Sequence, residues 1–410
     1  MPNYFDALET RTDAERKSAL AARLPAQIAH AKATAPWFAD TFKHVDPAAI
    51  TSRETLAQLP VIRKHELLEL QKKQRPFGGL ASSKYGHMTR VFASPGPIYE
   101  PEGKAADYWR TARALYAAGF RAGDLVHNSF SYHMTPGAWI LDAGAHALGC
   151  TVFPAGVGQT EQQLEAMLDL QPNGYVGTPS FLRILLAKAD ELGHKIPSLK
   201  KALVSGEAFL PPVRDELISR GVIAYQAYAT ADVGLIAYET EARDGLVIDE
   251  NILLEIVRPG TADPLPEGEV GEVVITSFSA DYPLIRFGTG DLSMVLAGPS
   301  PCGRTNQRIK GWLGRADQTT KIKGMFVHPE QVAAVVARHP AITRARLVVT
   351  NPDSTDHMLL LCECEQAAAQ EDAIASSLRE LTKLRGDVRI VAPGSLPNDG
   401  KVISDERKLD

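Results

Sequence analysis

The sequence predicts an α/β protein with a large N-terminal domain and a small α+β C-terminal domain. The large domain is expected to contain mixed, mostly parallel sheets and a β-rich subdomain. Three observations along the 410 residues support this fold class. Short apolar runs alternate with helical segments over 105–225, strands follow one another without long helices over 246–296, and a second mixture of helices and strands begins after residue 317. We therefore predict domains over 1–317 and 318–410.

The first 75 residues are expected to form a helical lead-in to the large domain. They are rich in Ala, Arg and Lys, and apolar residues such as Ile28 recur at roughly helical intervals. Pro25 is expected to interrupt the helix, because proline lacks the N–H group that a helix interior needs. The α/β core is then assigned to 76–240 and the β-rich subdomain to 241–317.

The alternating pattern of the core predicts βαβ units. Strands are predicted at Leu125–His127, Thr151–Phe153, Gly174–Gly177, Ala202–Val204 and Val222–Tyr225, and a helix at Pro212–Arg220. Thr178 and Pro179 provide a capping residue and a helix-starting proline directly after the third strand. These units indicate a mostly parallel sheet, whose ligands bind beyond the carboxyl ends of its strands.

The two later segments have different patterns. Strands separated by turns are predicted at Leu246–Ile248, Leu253–Val257, Val270–Ser277 and Leu292–Leu296, which indicates an antiparallel sheet or a distorted barrel. The C-terminal domain is predicted to contain, in order, a hairpin at Lys321–Val327, the helix Pro329–Arg338, the strands Arg346–Val349 and Met358–Cys364, the helix Asp372–Leu384 and the strand Val388–Val391.

Composition limits the function classes. Hydrophobic residues make up 44% of the chain and charged residues 23%, which is typical of a soluble globular protein. A net charge of −5 gives no basic footprint for nucleic acid, no apolar run is long enough for a membrane span, and the start of the chain lacks the pattern of a secretory signal. The four cysteines fit no zinc spacing, and Cys362 and Cys364 are expected to form a buried thiol pair, so a reducing cytoplasm is the expected compartment.

Two segments that follow predicted core strands carry groups suited to a nucleotide. Ser205–Glu207 comes directly after one strand, where a glycine lets a flat ligand or a phosphate approach the backbone. Tyr225–Asp232 follows the next strand. There Tyr228 can cover a nucleobase, the Thr230 hydroxyl can bond a phosphate oxygen, and Asp232 can bind Mg²⁺. The alternatives are an ordinary strand-to-helix turn and a loop in which Thr230 and Asp232 only cap local backbone.

The segment Tyr282–Leu292 is the most specific one. Two glycines flank Thr289 just before Asp291, a carboxylate that could accept both hydroxyls of a ribose. A turn between two strands is the alternative.

Two further segments place basic groups in loops. Arg315 follows Gly314 and can contact phosphate or ribose with both ends of its guanidinium, and a solvated basic hairpin is the alternative. Lys401 follows the turn residues Asn398–Gly400, which can present its ammonium at a loop tip. The alternative there is a solvated terminal lysine.

In this order and spacing the segments resemble the adenylate-forming superfamily of acyl- and aryl-CoA synthetases, and within it the phenylacetate–CoA ligase branch. The resemblance covers nearly the whole chain. It includes, besides the segments above, the stretches Ala35–Phe38, Leu59–Lys64, Gly314–Glu330 and Leu396–Lys401.

The resemblance implies an enzyme that uses ATP, Mg²⁺ and coenzyme A. A carboxylate substrate attacks the α-phosphate of ATP, and a thiol then attacks the carbonyl of the acyl-adenylate. The residues implied at the nucleotide are Ser205, Gly206 and Glu207 beside the adenine, Tyr228 and Ala229 near the base, Thr230 at the α-phosphate, Asp232 at Mg²⁺, Asp291 at the ribose hydroxyls and Arg315 at the ribose or phosphates. Lys401 would bridge the carboxylate and the α-phosphate and stabilise charge in the transition state.

The resemblance also implies a mobile C-terminal domain and an acid pocket. The small domain would rotate about Asp317 between the half-reactions and bring the hairpin with Lys323 and Gly324 to the pantetheine arm of CoA. The acid pocket would be formed by Phe130, Tyr132, His133 and Met134, whose aromatic character suits an aryl acid.

Two departures from the family pattern bear on activity. The stretch Phe92–Glu100, where the family has a Ser/Thr/Gly-rich loop with a lysine for the β- and γ-phosphates, has no lysine. Pro95 and Pro97 each remove an N–H donor, and Glu100 adds a negative charge, so this loop is expected to hold pyrophosphate poorly. In the second departure, Ala229 stands where a glycine is usual, and Asp232 stands where a glutamate is usual and reaches one methylene less far.

The leading hypothesis is an AMP-forming ligase that joins an aryl or arylacetic acid to CoA. Transfer of the acyl group to a carrier-protein thiol or to an amine is a second hypothesis. A non-catalytic ligand-binding or scaffold protein on the same fold is a third, suggested by the stretch at 92–100. The expected partners are a small carboxylic acid, with a homodimer and a carrier protein left open, and neither nucleic acid nor a membrane.

Overall fold

A computed structural model of the protein describes residues 4–95, 97–316, 318, 320–322, 325–351, 356–365 and 371–407. The helices among these are α1 Asp13–Thr34, α2 Pro36–Thr41, α3 Arg53–Leu56, α4 Leu67–Lys73, α5 Ala112–Ala117, α6 Gly137–Ala147, α7 Thr160–Leu170, α8 Pro179–Glu191, α9 Pro211–Ser219, α10 Pro329–Arg338 and α11 Glu371–Thr382. None of the helices in these ranges has the length and apolar character needed to cross a membrane.

The strands are given in chain order. They are β1 Ile62–Arg63, β2 Arg90–Ser94, β3 Ile98–Glu102, β4 Leu125–Asn128, β5 Thr151–Phe153, β6 Gly174–Gly177, β7 Lys201–Val204, β8 Ile223–Thr230, β9 Gly234–Glu239, β10 Leu246–Ile248, β11 Ile252–Val257, β12 Gly271–Ser277, β13 Phe287–Ser293, β14 Val295–Leu296, β15 Arg308–Ile309, β16 Gly314–Arg315, β17 Thr320–Ile322, β18 Met325–Val327, β19 Arg344–Thr350, β20 His357–Glu363, β21 Asp387–Val391 and β22 Ile403–Asp405.

The chain divides into two compact units. The first contains 1–254, 275–287 and 296–312, and the second contains 255–274, 288–295 and 313–410. Strands β11, β12 and β13 each contribute residues to both units.

The first unit contains the parallel sheet that the sequence predicts. Neighbouring strands run in the order β5, β4, β6, β7, β8 and pair in parallel, and helices α6 to α9 connect them in chain order. This confirms the βαβ prediction. Strands β9, β10 and β15 extend the sheet with antiparallel pairing.

Both faces of this sheet are buried. Along β7, Ala202 and Val204 pack into a core with α8 and α9, whereas Leu203 packs into a second core with α5 and α6. The alternation follows from the period of two in a strand. Because both faces are covered, polar side chains that serve a ligand are expected at the ends of these strands.

The structure corrects two predictions in the first unit. Helix α1 runs through Pro25, because its face with Leu24, Ile28 and Ala31 is buried and this burial outweighs one lost hydrogen bond. Strand β8 reaches Thr230, beyond the predicted end at Tyr225, because β9, which the sequence analysis missed, pairs with it.

The second unit contains a four-stranded sheet in the order β21, β20, β19, β22. Helices α10 and α11 and this sheet share one core, which includes Val335, Leu347 and Leu378. The predicted hairpin is present as the antiparallel pair β17 and β18, and the predicted helices and strands of this region are confirmed to within two residues at each end. Strand β22, parallel to β19, was not predicted.

The cysteines of β20 lie as expected. Cys362 and Cys364 are both buried free thiols. Burial raises the pKa of the Cys362 thiol to about 12, so this side chain is a neutral part of the core.

Helices α5 and α6 approach each other at Gly144, and this contact gives the first prediction. A Cβ atom at Gly144 would overlap Thr111 Oγ1 and lie 2.6 Å from the backbone nitrogen of Ala112. Gly144→Ala is therefore expected to lower the free energy of unfolding by about 1–3 kcal/mol, although alanine normally favours a helix. Urea unfolding monitored by circular dichroism measures this change.

Gly137→Ala in the same helix is the matched control. Its Cβ would lie 3.9 Å from the nearest atom, which is an ordinary contact. The control is expected to leave stability unchanged or raise it slightly, and equal losses for the two variants would contradict the packing argument.

Candidate active site

The first unit brings most of the predicted site residues to one edge of the parallel sheet. Strands β4, β7 and β8 are parallel, so their carboxyl ends lie at the same edge. Phe130 follows β4 by two residues and Ser205 follows β7 directly, while Thr230 is the last residue of β8. These three predicted site residues therefore lie at one edge of the sheet.

The segment predicted to line the adenine lies close to the segment predicted to bind the acid. Gly206 has a φ of +84°, and a Cβ atom there would lie 3.5 Å from Phe130 Cε1. The Ser205 hydroxyl donates to the Ala227 carbonyl at 2.7 Å, which fixes the segment to β8. Glu207 is exposed, and one of its carboxylate oxygens accepts from the Ser180 N–H at the start of α8 at 2.6 Å.

Residues Tyr228–Thr230 lie within a strand and not in the loop that the sequence predicts. The register of β8 and β9 shifts between Tyr228 and Ala229, as in a β-bulge, which re-aims the following side chains. Tyr228, Ala229 and Thr230 are half-buried. The Thr230 hydroxyl accepts from the Val233 N–H at 3.3 Å, so it has the local backbone bond named as its alternative, and its own hydrogen remains for a ligand.

Asp232 does not cap local backbone. Its Oδ2 accepts from the Lys64 ammonium at 2.7 Å, across 168 residues of sequence. The Asp232 side chain is fully buried, while that of Lys64 is 24% exposed. The other oxygen, Oδ1, is buried and has no hydrogen-bond partner among the described residues. A buried carboxylate oxygen without a partner is unfavourable unless a cation or a donor binds it, so Asp232 fits a metal ligand.

Within the stretch 92–100, residues of β2 and β3 pair as an antiparallel hairpin that was not predicted, and Gly96 lies outside the described residues. Phe92 pairs with Glu100 and Ser94 with Ile98. Glu100 is fully buried and accepts hydrogen bonds from the N–H and hydroxyl of Ser94. Burial and then the charge of Asp232 raise the pKa of Glu100 to about 8, against the opposing effects of Ser94 and Lys64.

The residues predicted to form the acid pocket differ in exposure. Phe130 and Tyr132 are half-buried, whereas His133 and Met134 are exposed. The Tyr132 hydroxyl donates to Asp142 at 2.8 Å, and its ring lies edge-on to Trp139 at 5.1 Å. The Met134 carbonyl accepts from the Ala93 N–H at 2.9 Å, so this segment is joined to the hairpin of β2 and β3.

Sequence reasoning missed a buried polar network between the end of β4 and helix α7. His127 Nε2 lies 2.9 Å from Gln163 Oε1, which also accepts from the Ser129 hydroxyl at 3.0 Å. The His127 ring stacks between Phe153 and Tyr175 at 5.4 and 6.4 Å. The apolar pattern of this strand did not reveal the buried position of His127, because only the structure shows that its side chain points inward.

The second unit contains the other predicted residues. Asp291 is buried on β13, opposite Arg315 on β16, whose Nη1 donates to Asp291 Oδ1 at 2.9 Å. Gly290 has a φ of +74°, and a Cβ atom there would lie 2.7 Å from Arg315 Nη2. The Gly-Thr-Gly-Asp segment is thus part of strand β13 and not a turn, and its second glycine gives the guanidinium room.

Lys401 is exposed at the end of a fixed segment. Gly400 packs against Val270 and Leu292, so a Cβ atom there would lie 2.6 Å from Val270 Cγ1. Gln318 donates to the Gly400 carbonyl at 3.0 Å and accepts from the Val402 N–H at 2.5 Å. The backbone of Lys401 is therefore held from both sides while its ammonium reaches solvent. Asp317, Lys323 and Gly324 lie outside the described residues.

Comparison with known proteins decides the family. The AMP-binding enzyme family model matches residues 111–279. A phenylacetate-coenzyme A ligase of Aromatoleum evansii is 30% identical over 403 residues, covering 92% of this chain and 90% of that protein. The chain belongs to the phenylacetate–CoA ligase-like branch of the adenylate-forming enzymes. This family is one of AMP-forming acid–CoA ligases, and the resemblance drawn from the sequence is confirmed.

Two further relatives agree with this assignment. The phenylacetate-coenzyme A ligase of Escherichia coli K12 is 28% identical over 426 residues, covering 97% of this chain and 96% of that one. A 2-hydroxyisobutyryl-CoA ligase, solved with 2-HIB-AMP and CoA in the thioesterification state, matches the fold with a TM-score of 0.73 and 26% identity, covering 99% of this chain and 93% of that one. The predicted fold class is confirmed.

The buried network at His127 gives a pH prediction. Burial lowers the pKa of His127 below its ordinary value, with Gln163 opposing this. Below about pH 6.5, His127 binds a proton in the unfolded chain at a pH where it stays neutral in the folded chain. The free energy of unfolding therefore falls as the pH is lowered. His127→Gln is expected to flatten this loss between pH 7 and pH 5, as measured by urea unfolding.

His194→Gln, an exposed histidine, is the control and is expected to retain the wild-type pH dependence. An unchanged slope in His127→Gln would show that other groups cause the loss.

Proposed function

We propose that the protein is an ATP-dependent ligase that adenylates an aryl or arylacetic acid and transfers the acyl group to coenzyme A. The observation that carries this proposal is that Phe130, Gly206 and Thr230 lie at one edge of the parallel sheet, where a Cβ atom at Gly206 would lie 3.5 Å from Phe130 Cε1. An acid held at Phe130 and a nucleotide held at Ser205–Thr230 would bring a carboxylate to an α-phosphate. Such positioning accounts for much of the rate of a two-substrate reaction.

The residues of the first unit would bind and orient the nucleotide. Ser205, Gly206 and Glu207 would line the adenine, with Tyr228 and Ala229 beside the base. The Thr230 hydroxyl, already bonded to the backbone as an acceptor, would donate to an α-phosphate oxygen.

Asp232 would hold Mg²⁺ through Oδ1, the oxygen that has no partner in the described part of the chain. Bound there, Mg²⁺ would neutralise phosphate charge.

The residues of the second unit would act on the ribose and the transition state. Asp291 has one oxygen bonded to Arg315, and its carboxylate would accept from the ribose hydroxyls. Arg315 would orient Asp291 and contact the ribose or phosphates. Lys401 would place its ammonium where negative charge develops between the carboxylate and the α-phosphate. The small domain would begin after residue 317, and rotation of 318–410 would bring Lys323 and Gly324 to CoA. The proposal also includes a cytoplasmic location and a homodimer.

The proposed acid class follows from the side chains around Phe130. Phe130, Tyr132 and Trp139 supply aromatic surface, and His133 and Met134 lie at its exposed end. A short 2-hydroxy acid is a second candidate, because the likeness to a 2-hydroxyisobutyryl-CoA ligase covers 99% of the chain. The His127, Ser129 and Gln163 network provides polar groups for a hydroxyl near this edge.

The direct test is pyrophosphate release with ATP and Mg²⁺ over a panel of aryl, arylacetic and short 2-hydroxy acids, with and without CoA. Acid-dependent release is expected, with acyl-CoA formed when CoA is present. Release without acyl-CoA would favour a carrier-protein thiol or an amine as acceptor. Tight binding of an acyl-adenylate mimic by folded protein that releases no pyrophosphate would favour a non-catalytic binding protein.

Lys401→Ala should separate the two half-reactions. Adenylation is expected to fall by about 10²–10³-fold, because a charge-stabilising group is removed from its transition state. Thioester formation from a supplied acyl-adenylate should stay within about twofold of wild type, because the ammonium has no role there. Stopped-flow pyrophosphate release and acyl-CoA formation measure the two steps.

Lys383→Ala, an exposed lysine of the same unit, is the control and should retain both steps. Equal loss of the two half-reactions in Lys401→Ala would contradict the assigned role.

Asp291→Asn should weaken ATP binding by about 10–100-fold, because hydrogen bonds to a charged group contribute about 1.5–3 kcal/mol. The same variant should lose the preference of the wild type for ATP over 2′-deoxy-ATP, which tests contact with the ribose itself. The KM values for both nucleotides measure this. Asp263→Asn, an exposed carboxylate of the same unit, should leave both values unchanged, and a preserved preference in Asp291→Asn would place the ribose elsewhere.

A further inference from the structure

The segment that carries Lys401 is bonded to the turn between β11 and β12 through one side chain. Asn398 Nδ2 donates to the Gly268 carbonyl at 3.2 Å, and Asn398 Oδ1 accepts from the Val270 N–H at 3.3 Å. A side-chain amide has both a donor and an acceptor, so it can bond the backbone on both sides of Glu269 at once. Asn398 is exposed, so these two bonds are made at the surface of the second unit.

The turn that receives Asn398 is itself held in place. Gly268 has a φ of +84°, and its N–H donates to the Val295 carbonyl at 3.0 Å. Val270 is buried in a small apolar cluster with Leu292 and Ala316. The carbonyl and the N–H that face Asn398 therefore belong to a well-packed part of the unit.

The contact of this turn with Gly400 sets the starting point of the Lys401 side chain. A Cβ atom at Gly400 would lie 2.6 Å from Val270 Cγ1 and 3.2 Å from Leu292 Cδ2. Leu292 directly follows Asp291 on β13. Lys401, the next residue after Gly400, thus extends from backbone that packs against the strand bearing the proposed ribose ligand.

The same segment is also fastened to the sheet that contains β19. The Arg344 guanidinium donates to the carbonyls of Leu396 and Pro397 at 3.2 and 2.6 Å. In the proposed division at residue 317, β19 would rotate together with Lys401, while the turn between β11 and β12 would stay with the large domain. The two bonds of Asn398 cross that division, so they would have to break when the small domain rotates.

We propose that Asn398 is a positioning residue for the adenylation step. Its amide holds the segment 396–402 on the turn between β11 and β12, and so keeps Lys401 beside the strand that carries Asp291. This inference rests on the proposed function, which supplies the two half-reactions and the role of Lys401. Water can replace both partners of an exposed amide, so the two bonds favour one arrangement and still open within a catalytic cycle.

Asn398→Ala removes both bonds and should affect only one half-reaction. Adenylation, measured as pyrophosphate release, is expected to fall by about 5- to 30-fold, because Lys401 is less often in place. Thioester formation from a supplied acyl-adenylate should stay within about twofold of wild type or become faster, because the bonds must be broken for it anyway. Equal loss of both steps would show a merely structural role and overturn the proposal.

Ser395→Ala is the matched control in the same segment. Ser395 is exposed, and its hydroxyl donates to the Ala392 carbonyl within its own turn. The control should retain both half-reactions, and a loss of adenylation equal to that of Asn398→Ala would overturn the proposal. Circular dichroism checks that each variant is folded. Should Asn398→Ala not fold, Asn398→Asp provides the test, because a carboxylate cannot donate to the Gly268 carbonyl, and a wild-type adenylation rate in it would overturn the proposal.

A double variant tests whether Asn398 acts through Lys401. In a Lys401→Ala background, Asn398→Ala is expected to cause no further loss of adenylation, because no ammonium is left to position. Losses that multiply in the double variant would mean that Asn398 acts independently of Lys401, which would overturn the proposal.

Hydrogen exchange of the nucleotide-free protein tests the contact without catalysis. The Val270 N–H, followed by mass spectrometry in peptides that span 265–275, should exchange faster in Asn398→Ala than in the wild type and in Ser395→Ala. Unchanged exchange would overturn the proposal. Pyrophosphate release that is the same in the wild type and in Asn398→Ala would leave the ligase in place and overturn the role of Asn398. Faster exchange in Asn398→Ala, with a wild type that releases no pyrophosphate with any acid, would overturn the ligase and the positioning role together and leave only the contact.

Discussion

Burial of both faces of the parallel sheet constrains where chemistry can occur in the first unit. Along β6 and β7, successive side chains enter two different apolar cores, so a polar side chain placed mid-strand would need its own buried partner. Polar groups that meet a ligand are thereby confined to the residues that follow the strands. Ser205 and Phe130 occupy such positions, and the turn after β8 holds Asp232. The apolar packing that stabilises the sheet thus also places the residues of the candidate site at one edge.

The polar groups at this edge depend on partners that are distant in sequence. Lys64, which precedes the whole core, pairs with Asp232, and the charge of Asp232 raises the pKa of Glu100 on β3. Removing either basic or acidic group would leave a buried charge without its partner, which is far less favourable than removing an exposed one. The site is therefore a property of several chain segments, and none of the local motifs contains it alone.

Much of the fold could be predicted from the sequence, because its periodic patterns are local. The strands of the parallel sheet and the helix Pro329–Arg338 follow from such patterns. Strand β22 was missed because only three residues pair with β19, too few for a periodic signal. Helix α1 passes through Pro25 because burial of one face, a tertiary effect, outweighs local propensity.

The candidate site was predictable in its residue types but not in its pairings. Asp291 and Arg315 could each be named from local sequence, yet their ion pair depends on the register of β13 and β16. The burial of Glu100 and the effect of Asp232 on its pKa have no local signature, because they depend on segments more than a hundred residues apart. Sequence spacing identifies groups that can do chemistry, whereas their charges and partners follow from tertiary packing.

The hydrogen bond from Ala93 to the Met134 carbonyl joins, through the backbone, the segment proposed to bind the acid to strand β2. Met134 lies in the segment proposed for the acid, and Ala93 lies on β2, which pairs with the strand that bears Glu100. A bulkier acid that displaces Met134 would pull on that strand and alter the surroundings of Glu100. The identity of the acid would then change the affinity for ATP. The acid and ATP would be recognised jointly and not as independent ligands.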